Sequence, residues 1–246
     1  MKHCILIVAF GTSTLNGYEN QFQPFIRKIE ENINIPTFIG FTSERIIKKL
    51  QDERILSFEE KIKEIKDLGY EEIILLKLVL SDGKENRKIE KVLEDNKNNF
   101  KKIIKTKPIL EYKKTFIDTI FEGRDNTIFI SHGREDDIVD SISEEFKKEV
   151  NLNYKNLSFL SLNFKEEADD IIKSILKENT EEVVFKPLLL TKGYHFEKDI
   201  YSDKQGSFKS RFTENKIRVK EINFGLLEDK KFLAFSIENL KNIIRD

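Results

Sequence analysis

Uninterrupted runs of apolar residues, each about the length of a β-strand, recur along the chain of 246 residues. Within the runs, apolar and polar positions do not alternate, which is typical of strands in a parallel sheet that is covered on both faces. The runs occupy residues 4–10 (CILIVAF), 72–80 (EIILLKLVL), 127–131 (TIFIS), 157–162 (LSFLSL) and 183–190 (VVFKPLLL). This pattern predicts five buried strands.

Between the runs, apolar residues recur at the three- and four-residue spacing of amphipathic helices. The segment that begins at Ser57 shows it best, because Ser57 can cap a helix, Glu60 completes a capping box and Gly69 ends it. Further helices are predicted near residues 18–32, 43–51, 86–98, 112–121, 138–149, 165–178 and 229–244. Strands that alternate with helices predict an α/β fold with parallel sheets flanked by helices.

The chain also repeats itself weakly at long range. Two overlays align without gaps, residues 71–85 (EEIILLKLVLSDGKE) with 181–195 (EEVVFKPLLLTKGYH) and residues 5–13 (ILIVAFGTS) with 127–135 (TIFISHGRE). Because the overlays occur in the same order, they predict two similar α/β halves, residues 1–124 and 125–246.

The overlays pair residues that carry chemistry. Glu85 coincides with His195, and Phe10 coincides with His132. Glu85, His132 and His195 each follow the end of a predicted strand, and ligands of open parallel sheets bind beyond those ends. If the halves face one another, the three groups converge on an active-site cleft between them.

Composition and charge narrow the class of protein. Charged residues make up 35% of the chain and nearly cancel, giving a formal net charge of −1, which argues against a nucleic-acid partner. Cys4 is the one cysteine, so a disulfide within the chain and a CxxC metal site are excluded, and its apolar run predicts a buried thiol. That run is too short for a signal peptide or a membrane helix. We therefore expect a cytoplasmic protein without a membrane partner, and leave a homo-oligomer open.

Two imidazoles and a carboxylate suit a divalent ion such as Co²⁺, Fe²⁺, Ni²⁺ or Zn²⁺. The same groups can accept protons near neutral pH. Asp199 and Asp203 follow His195 at steps of four, so in a helix they would share its face and could orient its imidazole. Each histidine taken alone is more often a satisfied local group than a ligand, and the joint placement is what favours a site.

Other readings of the same residues are weaker or stay open. Ser131 adjoins His132, but the chain has no G-x-S-x-G elbow, which argues against a nucleophilic triad. The loop FGTS (10–13) could present backbone N–H groups to an anion, although GxGxxG and GxxxxGK[ST] are absent, which weakens a nucleotide reading. A two-lobed sugar or phosphate binder would be favoured if the three groups failed to converge.

Five segments together resemble a known family. They are VAFGTS, GFTSERIIKKL, LSDGKENRKIEKV, ISHGRED and GYHFEKDIYSDKQGSFKSRF, which lie in order between about residues 5 and 225. The set is similar to the anaerobic cobalt chelatases of cobalamin biosynthesis, which are class II tetrapyrrole chelatases related to the protoporphyrin ferrochelatases.

The resemblance implies two α/β halves around a cleft that holds the macrocycle, and insertion of Co²⁺ into sirohydrochlorin or an oxidised relative without ATP. It implies that His132, His195 and Glu85 bind the metal and accept the pyrrole protons, with Asp199 and Asp203 as supporting acids. The substrate-binding residues implied are Phe10, Gly11, Thr12, Ser13, Gly133 and Tyr194. No organic cofactor is implied, and Co²⁺, or else Fe²⁺ or Ni²⁺, is the substrate metal.

The chain departs from the pattern at two places. Charged residues occupy the HGRED loop, and Lys84 stands beside Glu85 where an acid is more usual. Iron insertion for sirohaem or for another tetrapyrrole therefore stays open as an alternative. A protein that carries a metal or a tetrapyrrole without chemistry is a further alternative, and turnover would distinguish it.

Overall fold

The computed structural model describes residues 2–123, 125–133, 141–163 and 166–245. Contacts between residues divide the chain into two compact units. Unit 1 comprises Met1–Phe116 and Lys230–Asp246, and unit 2 comprises Ile117–Asp229. Within the described ranges, no helix is both long enough and apolar enough to cross a membrane.

Unit 1 contains a four-stranded parallel sheet in the order β2-β1-β3-β4. Its strands are β1 (His3–Ala9), β2 (Thr37–Phe41), β3 (Glu72–Leu78) and β4 (Lys102–Lys105). Its helices are α1 (Leu15–Gly17), α2 (Gln23–Ile33), α3 (Glu44–Leu50), α4 (Phe58–Asp67), α5 (Lys84–Asn96) and the C-terminal helix α10 (Lys230–Arg245). A π-helical turn, Tyr18–Phe22, joins α1 to α2.

Unit 2 contains a second four-stranded parallel sheet, in the order β6-β5-β7-β8. Its strands are β5 (Thr127–Ser131), β6 (Leu157–Ser161), β7 (Glu182–Pro187) and β8 (Arg218–Glu221). Its helices are α7 (Ser141–Asn153), α8 (Glu166–Lys177) and α9 (Phe208–Glu214), and α6 (Lys114–Ile120) spans the boundary with unit 1. A π-helical turn, His195–Ile200, follows β7.

The two sheets have the same strand order, and this explains the sequence repeat. The first overlay aligns β3 with β7, and the second aligns β1 with β5. In each sheet the paired strands hold the same position. The predicted α/β fold with two parallel sheets flanked by helices is thus confirmed.

Local signals in the sequence act as predicted. Ser57 accepts a hydrogen bond from the backbone N–H of Glu60 at 3.1 Å, and the Glu60 carboxylate accepts one from the N–H of Ser57 at 2.8 Å. Gly69 then adopts a φ of +75°, the left-handed conformation that ends many helices. The capping box and the glycine stop of α4 are both present.

Helix α10 packs in unit 1. The Phe232 ring stacks on Phe25 with centroids 6.0 Å apart, and Phe235 meets Phe116 edge-on at 5.2 Å. The predicted halves, 1–124 and 125–246, assign this helix to the second half, whereas its aromatic face is buried against residues of the first unit. Unit 2 is thus inserted between the two chain segments that form unit 1.

A buried ion pair lies where the chain enters and leaves unit 2. Lys186, on β7, points its ammonium nitrogen at Asp229 Oδ2, 2.8 Å away. The same nitrogen donates to the backbone carbonyl of Ile120 at 3.0 Å. Both side chains are buried, so the charges are held in a low-dielectric interior and depend on each other.

Cys4 is expected to be inert to alkylation in the folded protein. It lies on β1, fully buried, and burial raises the pKa of its thiol to about 12. At pH 8 only about one molecule in ten thousand would carry the reactive thiolate. Iodoacetamide should leave the native chain unlabelled over hours and label it within minutes in denaturant, as measured by mass spectrometry. Rapid labelling of the native chain would contradict the burial.

Candidate active site

The carboxyl edge of the second sheet brings two histidines together. His132 follows β5 directly, and His195 begins the π-helical turn after β7. Because β5 and β7 are paired neighbours, their ends lie side by side. The two Nε2 atoms are 3.1 Å apart, and the rings stand perpendicular with centroids 4.4 Å apart.

Asp199 fixes the orientation of the His195 ring. Its Oδ2 lies 2.6 Å from His195 Nδ1, one helical turn along the chain. A carboxylate only accepts hydrogen bonds, so Nδ1 is the protonated nitrogen of neutral His195 and Nε2 keeps a free lone pair. His195 therefore presents to His132 the nitrogen that can bind a metal or take up a proton.

The separation of the two nitrogens suits one shared ion. At a metal–nitrogen bond of about 2.1 Å, atoms 3.1 Å apart subtend an angle of about 95° at the metal. That angle lies between the octahedral and tetrahedral values, and imidazole is a good ligand for divalent first-row metals. An ion held by both nitrogens would take the place of their mutual hydrogen bond, with the proton of neutral His132 then on its Nδ1.

Glu85 lies at the equivalent edge of the first sheet. It occupies the first turn of α5, which follows β3 and begins after Gly83. Its Oε2 accepts a short hydrogen bond from Thr42 Oγ1, at the end of β2. Among the described residues, no three histidine, cysteine, aspartate or glutamate side chains form a cluster that could hold a metal. Glu85 as the partner of the two histidines therefore stays a prediction.

The FGTS loop follows β1 with a specific backbone conformation. Gly11 has a φ of +115°, which L residues rarely adopt, and an added Cβ would lie 3.2 Å from the Phe41 ring. Thr12 is buried against Gly17, and Ser13 is exposed. The Phe10 side chain, which directly follows this buried strand, is 47% exposed.

Two predicted substrate-binding residues flank the histidine pair. Gly133 has a φ of +76°, and a Cβ there would lie 2.8 Å from Ser161 Oγ, so only glycine fits without displacement. Tyr194 is 67% exposed and its ring meets His195 edge-on at 5.7 Å. Ser131 pairs through its hydroxyl with Ser161, at 2.9 Å.

The structure corrects the placement of Asp203. The helical turn ends at Ile200, so Asp203 lies beyond it and does not share a helix face with His195. Its carboxylate instead pairs with Lys209 at 2.7 Å. The extrapolation failed because the chain leaves the helix one turn earlier than the spacing assumed.

The charged residues of the HGRED loop after Gly133 lie outside the described residues.

Thr42 is the residue at this edge that sequence reasoning missed. It belongs to the segment GFTSERIIKKL, which carries the family resemblance without a role for any of its residues. Its partner Glu85 is 43 residues away, so nothing local in the sequence signals the contact.

Comparisons with known proteins agree with this fold. Residues 3–245 match the family of the cobalt chelatase CbiK. The sirohydrochlorin cobaltochelatase of Salmonella typhimurium is 23% identical over 98% of this chain and 96% of its own length. The fold is similar to that of the sirohydrochlorin chelatase SirB from Bacillus subtilis subspecies spizizenii, solved in complex with cobalt. The TM-score is 0.66 and the sequence identity 16%, and the alignment covers 100% of this chain and 94% of the SirB chain. SirB of Bacillus subtilis with Fe³⁺ has a TM-score of 0.66 and 14% identity over 100% and 95% of the two chains.

Proposed function

The chain belongs to the cobalt chelatase (CbiK) family, and we propose that it inserts Co²⁺ into sirohydrochlorin without ATP. The single observation that carries the proposal beyond the family match is the imidazole pair of His132 and His195, with nitrogens 3.1 Å apart. The Salmonella relative, similar over nearly its whole length, supports the choice of macrocycle.

We propose that the two histidines hold the incoming ion. Asp199 supports this role because it keeps the proton of neutral His195 on Nδ1 and leaves Nε2 free. Metal-binding histidines commonly donate their second N–H to a carboxylate in this way, which fixes the ring and strengthens the ligand. Glu85 is proposed as the third ligand, a carboxylate that offsets part of the ion's charge.

The lone pairs of the two imidazole Nε2 atoms can also accept the protons that the macrocycle loses. Insertion removes two pyrrole N–H protons and transfers the ion to four ring nitrogens. As Co²⁺ leaves, each imidazole Nε2 regains a lone pair and can take up one proton as a general base. Two positive charges enter the ring and two protons leave it, so two imidazoles suffice.

The exposed aromatic side chains suit a flat macrocycle. Phe10 and Tyr194 keep large apolar faces in solvent beside the sheet edges that carry the proposed ligands. Rings of this kind stack on extended π systems, which buries apolar area and orients the substrate. Gly11, Thr12, Ser13 and Gly133 are proposed to let the backbone approach the ring closely.

Anaerobic metallation of sirohydrochlorin tests the proposal. Co²⁺, Fe²⁺ and Ni²⁺ are offered in parallel at equal concentration, and the change in tetrapyrrole absorbance is followed. We expect many turnovers per protein with Co²⁺ and a rate well above the protein-free reaction. Faster turnover with Fe²⁺ would favour the iron-inserting alternative. Stoichiometric binding of the macrocycle without acceleration by any metal would reject the chelatase in favour of a carrier.

A further inference from the structure

Resting on the proposed role of Glu85, we propose that Thr42 is a positioning residue that fixes the Glu85 carboxylate for the metal. Thr42 Oγ1 donates a short hydrogen bond to Glu85 Oε2. Within the described ranges, this is the carboxylate's one hydrogen bond, so Oε1 is the oxygen left for an ion. A ligating carboxylate is commonly held in this way, with one oxygen on the metal and the other on a fixed donor.

Thr42 itself is held firmly. It is 3% exposed, and its backbone N–H donates to the carbonyl of Ala9 at 2.9 Å, just past β2. Its own carbonyl accepts from Lys88 Nζ at 2.6 Å. Its side chain is β-branched and restricted at χ1, so the hydroxyl has few directions in which to point. The donor is therefore fixed before any ligand arrives.

Thr42, just past β2, contacts the first two turns of α5 at two points. Thr42 bonds Glu85 through its hydroxyl and Lys88 through its carbonyl, and these partners are three residues apart on one helix face. Asn86, which follows Glu85, is also held in place, because the Nζ of the buried Lys77 donates a hydrogen bond to its side chain at 3.0 Å. The backbone of Glu85 is thus restrained, and Thr42 restrains its side chain.

Removal of the hydroxyl should weaken metal binding through Glu85 alone. Thr42→Val keeps the shape of the side chain and removes the donor. We expect Co²⁺ affinity, measured by calorimetry without tetrapyrrole, to fall about 10- to 100-fold, the usual cost of losing a partner of a metal ligand. Thr42→Ser, which keeps the hydroxyl, should stay within about threefold of the parent. In turnover assays the KM for Co²⁺ should rise more than kcat falls.

A double-mutant cycle with Glu85→Ala separates positioning from a general effect on folding. If Thr42 acts through Glu85, Thr42→Val should lower the Co²⁺ affinity of the Glu85→Ala protein by less than about twofold, because the carboxylate is already gone. Thr37→Val, at the start of the strand β2 that precedes Thr42, is the matched control and should bind Co²⁺ like the parent. Thr42→Ala serves as the second variant if Thr42→Val does not fold, as judged by thermal unfolding.

The outcomes distinguish this inference from the proposed function. If Glu85→Ala weakens Co²⁺ binding and Thr42→Val does not, Thr42 has no positioning role and the chelatase proposal stands. If Thr42→Val lowers Co²⁺ affinity as much in the Glu85→Ala background as in the parent, Thr42 acts on the fold and the inference fails. If Glu85→Ala leaves Co²⁺ affinity unchanged, the proposed role of Glu85 is itself rejected.

Discussion

Alanine in place of His195 or of His132 is expected to lower the rate of cobalt insertion at least about 100-fold. Each substitution removes one of two nitrogens that lie 3.1 Å apart, leaving a single imidazole to hold the ion and one base for two protons. The measurement is the anaerobic absorbance assay, with Co²⁺ affinity determined separately by calorimetry. Both quantities should fall, because the same lone pairs serve both tasks.

His3→Ala is the matched control, since His3 is the third histidine and lies exposed at the start of β1. Its rate should equal that of the parent. The His195 side chain is 48% exposed, so its loss should change the free energy of unfolding by no more than about 0.5 kcal/mol. A folded His195→Ala or His132→Ala protein that inserts cobalt at the full rate would overturn the proposed mechanism.

Asp229→Ala is expected to reduce the free energy of unfolding by about 3–5 kcal/mol, because it leaves the buried Lys186 ammonium without its carboxylate. For a chain of this size the loss corresponds to a fall of about 10 °C in the thermal midpoint. Differential scanning calorimetry of the whole chain measures it. The cause is desolvation of an orphaned charge, not loss of packing.

Two further variants test that cause. Lys186→Met in the Asp229→Ala background removes the orphaned charge, so it should recover much of the lost stability. Asp125→Ala breaks an exposed pair with Lys220, whose atoms lie 3.5 Å apart, and should cost less than about 1 kcal/mol. Equal losses from Asp125→Ala and Asp229→Ala would show that burial of the pair is unimportant.

The strands that the sequence predicts are those in which burial dominates the composition. All five apolar runs are strands, because nearly every side chain in these strands is buried, on both faces of the sheet. The three strands that were missed, β2, β4 and β8, lie at sheet edges, whereas β6, also at an edge, was predicted because it contains no charged residue. There, charged residues at the ends of KIIK (102–105) and RVKE (218–221) interrupt the apolar pattern, as is common at exposed edges.

The third missed strand, β2, was hidden by a glycine. Gly40 lowers the strand propensity of TFIGF (37–41), yet glycine is required there, since a Cβ would lie 2.8 Å from the Phe58 backbone. Glycine is required at position 40 because α4 packs so closely against β2. Such a requirement comes from tertiary packing and leaves no periodic signal along the chain.

The candidate site likewise contains contacts that the sequence indicates and contacts that it does not. The nearness of His132 and His195 follows from strand order, and the contact between His195 and Asp199 follows from helical spacing, so the sequence indicates both. Asp203 would share the helix face of His195 only if the helix continued, and the turn ends at Ile200. Thr42 was missed because its contact with Glu85 joins two distant segments.

The insertion of unit 2 between the two segments of unit 1 has a consequence for synthesis on the ribosome. The aromatic surface formed by Phe25 and Phe116 is complete only when Phe232 and Phe235 of α10 reach it. Residues Ile117–Asp229 emerge earlier, so the nascent chain can finish unit 2 while unit 1 still exposes that surface. During this interval the unfinished first unit is the part of the chain that most needs protection by chaperones.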